Sequence, residues 1–271
     1  MRRSITVLAV CLGLVVPAIP AGAGDPPEGP VHLALGDSQA FGFGTPRPDK
    51  LGYVAVLHRW LTAADCRDGD TSACPHLELA DLTVPGATTS SLIANQLPDA
   101  IQLIGQRNND ANPGNDVIYI TVTIGGNDIF NAFAANCLGG VTPGCVNEVT
   151  AAVGLATSNL AQILGTLRAA AGLDARIVVS TYDNPLGSCF LAPFESFGDL
   201  VLEGDPESDP GDPRSVGFND LIRLVAAATG AEVADTFEVL STDDWVGGDD
   251  CLHPDISGYH KMADVFLDVL D

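Results

Sequence analysis

Positive charge is scarce in this sequence. Its 271 residues carry 12 lysines and arginines against 35 aspartates and glutamates, a formal net charge of −23 at pH 7. A surface of that sign repels nucleic acid and anionic membranes, so neither is expected as a partner. Long apolar runs are also scarce. Past residue 23 no stretch is long and apolar enough to span a bilayer, which argues against stable membrane insertion. No Cys-x-x-Cys spacing occurs, so a zinc-thiolate centre has no pattern to rest on. His32, His58 and His76 lack acidic or cysteine partners at metal spacing, and no metal or cofactor is expected. There is no internal repeat. A hydrophobic content of 46% is enough for the core of one large domain.

The first residues read as an address. Arg2-Arg3 supplies a positive start, Ile5 to Val16 an apolar core, and Ala21-Gly22-Ala23 an A-x-A cleavage site. The expectation is a signal peptide over 1–23, cut near Ala23, and a secreted, extracellular single domain over 24–271. Lipidation at Cys11 is disfavoured, because Val10 precedes it and the apolar core before it is very short. Loss of Arg2 and Arg3 takes the net charge to about −25. Six cysteines remain: Cys66, Cys74, Cys137, Cys145, Cys189 and Cys251. An even number in an exported chain reads as a disulfide framework, with fifteen possible pairings. Sequence proximity favours Cys66–Cys74 and Cys137–Cys145, leaving Cys189–Cys251.

Apolar runs and helical patterns alternate. Strands are expected at 31–36, 78–84, 116–124, 175–181 and 231–235. Helices are expected at 50–64, 88–105, 146–171, 214–229 and 256–270. Such alternation predicts an α/β fold whose parallel sheet is covered on both faces. In the last helix Ile256, Tyr259, Met262, Phe266 and Val269 form a stripe, read as core packing, with His260 off it at the surface. The acidic run Glu203 to Asp212 matches no ligand spacing. It reads as a solvated loop rather than a calcium site, as do Asp243-Asp244 and Asp249.

Gly36-Asp37-Ser38-Gln39 follows the run Val31 to Leu35. A serine at the end of a buried strand can present its hydroxyl at the sheet edge where α/β proteins bind ligands. Alone, Gly-Asp-Ser is equally good turn chemistry. Three further pieces follow in chain order. Val84-Pro85-Gly86 ends a second apolar run, and Gly86 can leave its N–H free to donate or can be a plain turn residue. Gly125-Gly126-Asn127-Asp128 follows the clearest strand. The Asn127 amide can donate to a developing oxyanion or can cap a helix. In Asp250-Cys251-Leu252-His253, placed in a loop before the last helix, the carboxylate can fold back onto the imidazole and fix its tautomer.

Ser, Gly, Asn and Asp-x-x-His in that order resemble the SGNH (GDSL-type) hydrolases, over Ser38 to His253. Gln39 stands where the family has leucine. The resemblance implies a three-layer α/β/α sandwich with a central parallel sheet of about five strands, flavodoxin-like. It also implies ester hydrolysis, with Ser38 as nucleophile, His253 as base and Asp250 as its orienter; a monomer is expected. The oxyanion donors would be the Ser38 N–H, the Gly86 N–H and the Asn127 side chain. The α/β-hydrolase elbow Gly-x-Ser-x-Gly is not met, since Ala40 fills its last position. The expected substrate is a small-molecule or lipid ester. The alternatives are phospholipid deacylation, acyl transfer on the same site, or a catalytically silent binding module. Phe41-Gly42-Phe43-Gly44 and Asn184-Pro185-Leu186-Gly187 follow strands at the same sheet edge and can line the site or simply pack. No long apolar lid is evident, which favours an esterase over an interfacial lipase.

Overall fold

The computed structural model of this chain describes residues 29–64, 77–209 and 215–271. The expected signal peptide, Cys66, Cys74 and His76 lie outside the described residues, as does the end of the acidic run. Five strands form one sheet: β1 (Val31–Gly36), β2 (Glu78–Asp81), β3 (Val117–Thr123), β4 (Arg176–Ser180) and β5 (Glu232–Ala234). They lie in the order β2-β1-β3-β4-β5, and every neighbouring pair is parallel. That is the flavodoxin-like order. All six residues of β1 are buried, as in a strand covered on both sides. β2 is shorter than its apolar run. Even so, the Leu82 and Val84 N–H groups still donate to the Ala34 and Gly36 carbonyls, which carries the chain alongside β1 to residue 84.

The helices are α1 (Ser38–Phe41), α2 (Pro48–Leu51), α3 (Tyr53–Ala64), α4 (Thr89–Arg107), α5 (Gly126–Asn136), α6 (Pro143–Ala171), α7 (Glu195–Glu203), α8 (Phe218–Thr229) and α9 (Ile256–Leu270). Side chains alternate across a strand. Leu33 and Leu35 therefore face one layer, with Leu92 and Ile104 of α4, Leu160 and Leu164 of α6, and Ile222 of α8. Ala34 faces the other, with Tyr53 and Leu57 of α3 and Tyr259, Met262 and Phe266 of α9. The Tyr53 and Phe266 rings stack at 4.7 Å there. The three-layer α/β/α sandwich is thus as expected.

A third, smaller cluster lies beyond the two layers, around Phe133, Val149, Leu186 and Leu191. Two disulfides border it, Cys137–Cys145 and Cys189–Cys251, with S–S distances of 2.08 and 2.04 Å. The first is a pairing that sequence proximity favoured, and the second is the one it left over.

Some elements depart from the sequence reading. The expected helix at 50–64 is split at Gly52, which packs so closely on Gly42 that a Cβ would lie 2.7 Å from its Cα. Helix α6 begins three residues early, because Thr142 caps it and Pro143 takes its first position. Helices α5 and α7 were not foreseen. Nor was the antiparallel hairpin of β6 (Trp245–Gly247) and β7 (Asp250–Pro254), where a loop was expected. Ile256 is 42% exposed and does not join the core stripe of α9. Asp244 is buried rather than solvated. Burial opposes its charge, but bonds from Lys261 and Ser241 outweigh that and hold its pKa well below the usual carboxylate range. Glu203, at the end of α7, is bound by Arg223 and Asn219 and is no loop residue.

Candidate active site

The chain runs outward from β1 to β2, then crosses back over β1 to β3. Strand order reverses between β1 and β3, and in such sheets ligands bind at the carboxyl ends of the strands at that point. Ser38 follows β1 there, and Asn127 follows β3. The strand ends approach so closely that a Cβ on Gly36, at φ +150°, would sit 2.3 Å from the Thr123 carbonyl oxygen. The Gln96 carboxamide braces this end of β1. It accepts from the Gly36 N–H and donates to the Gly36 carbonyl, both at 2.9 Å.

Asp37 then starts α1. One of its oxygens accepts from the Gln39 N–H at 2.9 Å, and the other accepts from the Tyr182 hydroxyl at 2.7 Å. Burial pushes the Asp37 pKa up to about 6, although these hydrogen bonds pull the other way. Ser38 is thereby fixed at the first position of a short helix.

His253 stands between Ser38 and Asp250. Its Nε2 is 2.8 Å from the Ser38 Oγ, and its Nδ1 is 2.8 and 3.0 Å from the two Asp250 oxygens. Residues three apart on a flat strand would face opposite ways. Here Asp250 accepts from the Leu252 N–H at 3.1 Å, and the β6–β7 register is irregular, so the two side chains meet. The Phe43 ring packs on His253 with centroids 4.6 Å apart, and the Phe43 carbonyl accepts from the Tyr259 hydroxyl at 2.7 Å. Gly44, at φ +89°, lets the chain pass the hairpin; a Cβ there would lie 2.9 Å from Val246. Gln39 reaches the Leu252 carbonyl at 3.4 Å, so the residue that departs from the family pattern links α1 to the hairpin.

Gly86 and Asn127 line the same cavity as Ser38 and His253. Gly86 has φ +81°. Gly125, not Asn127, occupies the N-cap of α5, so the capping alternative does not apply. The Asn127 Nδ2 donates to the Ala87 carbonyl at 3.0 Å, which leaves its second N–H. Asp128 holds the same loop, accepting from the Thr89 N–H at 2.8 Å and the Thr89 hydroxyl at 2.7 Å. Among the described residues, the Ser38 and Gly86 N–H groups have no hydrogen-bond acceptor. An imidazole so placed can take a proton from the serine hydroxyl. Free N–H groups beside that hydroxyl can receive a developing negative oxygen.

The cavity measures about 390 Å³. Of the two segments expected near the site, Phe43, Asn184, Pro185 and Leu186 line it, while Phe41 and Gly187 do not. The sequence reading missed Tyr182, which carries no local signal because its partner Asp37 lies 145 residues away. It also missed the apolar wall of Ile129, Phe130 and Phe133, whose helical spacing directly after Asn127 was a usable signal. Among the described residues no cluster of three or more His, Cys, Asp or Glu side chains could hold a metal ion. No helix among them is long and apolar enough to cross a membrane.

Solved structures share the fold at low identity. A lipase from a goat rumen metagenome is 19% identical with a TM-score of 0.62, covering 89% of this chain and 97% of its own. A phospholipase A1 from Streptomyces albidoflavus is 20% identical with a TM-score of 0.58, covering 89% and 99%. An acetylxylan esterase from Geobacillus stearothermophilus is 17% identical with a TM-score of 0.55, covering 90% and 96%. No curated protein sequence matches. The GDSL-like lipase/acylhydrolase pattern matches residues 34–261, which takes in Ser38, Gly86, Asn127, Asp250 and His253, and the chain belongs to that family.

Proposed function

We propose that this protein hydrolyses carboxylic esters through an acyl-enzyme on Ser38. The observation that carries the reading is the unbroken line of hydrogen bonds from Asp250 through His253 to Ser38, open to a cavity beside three N–H donors. His253 takes the Ser38 proton as the hydroxyl oxygen attacks the acyl carbonyl. The resulting oxyanion sits among the Ser38 N–H, the Gly86 N–H and the free Asn127 N–H, each worth ~3 kcal/mol of barrier. The C–O bond to the alcohol breaks, and His253 gives that alcohol its proton. Water then adds to the acyl-enzyme, losing its proton to His253. The acid leaves as Ser38 recovers that proton. Asp250 keeps the proton on Nδ1, so that Nε2 faces the serine, and stabilises the imidazolium.

Family membership and the ester-cleaving activities named for the structural neighbours support this chemistry. The two closed disulfides support export to an oxidising compartment, in keeping with a signal peptide over 1–23. The test is Ser38→Ala. Turnover of p-nitrophenyl esters should fall by several orders of magnitude with an unchanged melting profile. Full activity in that variant overturns the assignment.

A further inference from the structure

We infer that the cavity beside Ser38 takes the acyl part of the ester, and that this part is an extended hydrocarbon chain rather than an acetyl group. The inference rests on the hydrolase reading above and adds the substrate class. The size comes first: about 390 Å³ lies within the range that holds a drug-sized ligand, far more than an acetyl group fills.

The lining is next. Away from Ser38 the walls are Phe130 and Phe133 of α5, Val149 of α6, Phe197 and Val201 of α7, and Phe218 of α8. Phe133 and Val149 are buried members of the third apolar cluster and Phe218 a buried member of the first, so the cavity reaches into the apolar interior rather than skirting the surface. Three polar side chains on its wall already have hydrogen-bond partners. The Tyr182 hydroxyl donates to Asp37. The Asn184 amide donates to the Glu195 carbonyl and to Asp199, and its oxygen accepts from the Leu186 N–H. Asp183 accepts from the N–H groups of Asn184 and Leu240. A sugar here would find few free partners for its hydroxyls among the apolar walls, which is costly, whereas a hydrocarbon chain asks for none.

Direction follows from the chemistry. The leaving oxygen must lie against His253 Nε2 to receive its proton. The acyl carbon's other substituent then points away from the hairpin, along α5. The hairpin contributes only Leu252 and His253 to the lining, whereas α5 contributes Ile129, Phe130 and Phe133 in addition to Asn127.

The experiment has two arms. In the first, kcat/KM is measured for p-nitrophenyl acetate through laurate, below their aggregation limits, and for acetate esters of alcohols of rising length. The acyl series should climb by about fourfold per methylene before levelling off, and the alcohol series should stay nearly flat. Val201→Phe and Val149→Phe, each filling the cavity, should lower the octanoate-to-acetate ratio at least tenfold. That ratio is insensitive to the fraction of enzyme folded. A preference for acetate, a dependence on the alcohol instead, or an unchanged ratio in both variants overturns the inference while leaving the hydrolase reading intact. In the second arm, calorimetry on Ser38→Ala should detect decanoate and not acetate. Binding of decanoate without ester turnover by the wild type would sink the hydrolase reading and keep the cavity's; no binding of decanoate would sink the cavity's.

Discussion

Replacing Asn127 separates chemistry from scaffolding. Its Nδ2 has two hydrogens, one donated to the Ala87 carbonyl at 3.0 Å and a second that the proposed mechanism assigns to the oxyanion. Asn127→Ala removes both. Loss of the Ala87 bond costs about 1 kcal/mol of stability, a fall of about 2–4 °C in Tm for a domain of this size. Loss of the second donor raises the barrier by about 3–4 kcal/mol, so kcat should fall by ~10²–10³ with KM little changed. Asn127→Asp is the sharper test. Its ionised carboxylate cannot donate, and it would face the Ala87 carbonyl with like polarity, so it should be no better than alanine and melt lower. Steady-state kinetics on p-nitrophenyl butyrate, beside a melting curve for each variant, reads both effects. If both variants keep wild-type kcat and only melt earlier, Asn127 serves as a tie to the Gly86 loop and donates nothing to the reaction.

Two further outcomes follow from the disulfides and from Asp37. Cys189→Ser with Cys251→Ser opens a 62-residue loop and should cost about 4 kcal/mol, against about 2.5 kcal/mol for the eight-residue Cys137–Cys145 loop. Denaturant melts give the two costs, and kcat should drop only for the first pair, because Cys251 lies between Asp250 and His253; equal kcat in both double variants would show that α9 holds the imidazole unaided. The Asp37 pKa is raised from 3.8 to about 6 by burial, so the folded state holds its proton more tightly than the unfolded chain. The stability this confers is complete below pH 3.8 and lost as pH rises through 6, by roughly 3 kcal/mol. Asp37→Asn keeps an oxygen for the Gln39 N–H, so its Tm should gain on the wild type between pH 4 and pH 8; a constant difference would refute the burial account.

The sheet was legible because its strands are local apolar runs. Val117 to Thr123 reads as β3 from its own residues, and β1 likewise. The groups of the candidate site were legible for the same reason. Gly-Asp-Ser and Asp-x-x-His are short, and their order along the chain carried the rest. What escaped was whatever depends on convergence. The β6 and β7 strands are three and five residues long, joined through Gly247-Gly248, too short to show a period of two. Helix α5 hid behind Gly125-Gly126-Asn127-Asp128, which is good turn chemistry until Thr89 binds Asp128 from another helix. Asp244 and Glu203 looked like solvated acids because their partners Lys261 and Arg223 are 17 and 20 residues away. The cavity wall draws on α5, α6, α7 and α8 together, and no window of sequence contains it.

The hydrogen bond from His253 to Ser38 spans 215 residues, and its timing follows from that span. A domain generally folds as a unit. Ser38, after β1, and His253, in β7, therefore meet only when the elements between them have folded. Until synthesis passes α9, the second helical layer lacks Tyr259 and Phe266, and Phe43 lacks the hydroxyl that holds its carbonyl. A chain cut before β7 would carry Ser38, Gly86 and Asn127 with no imidazole beside them. On the mechanism proposed above, the folding step that packs α9 against the sheet is also the one that assembles the site.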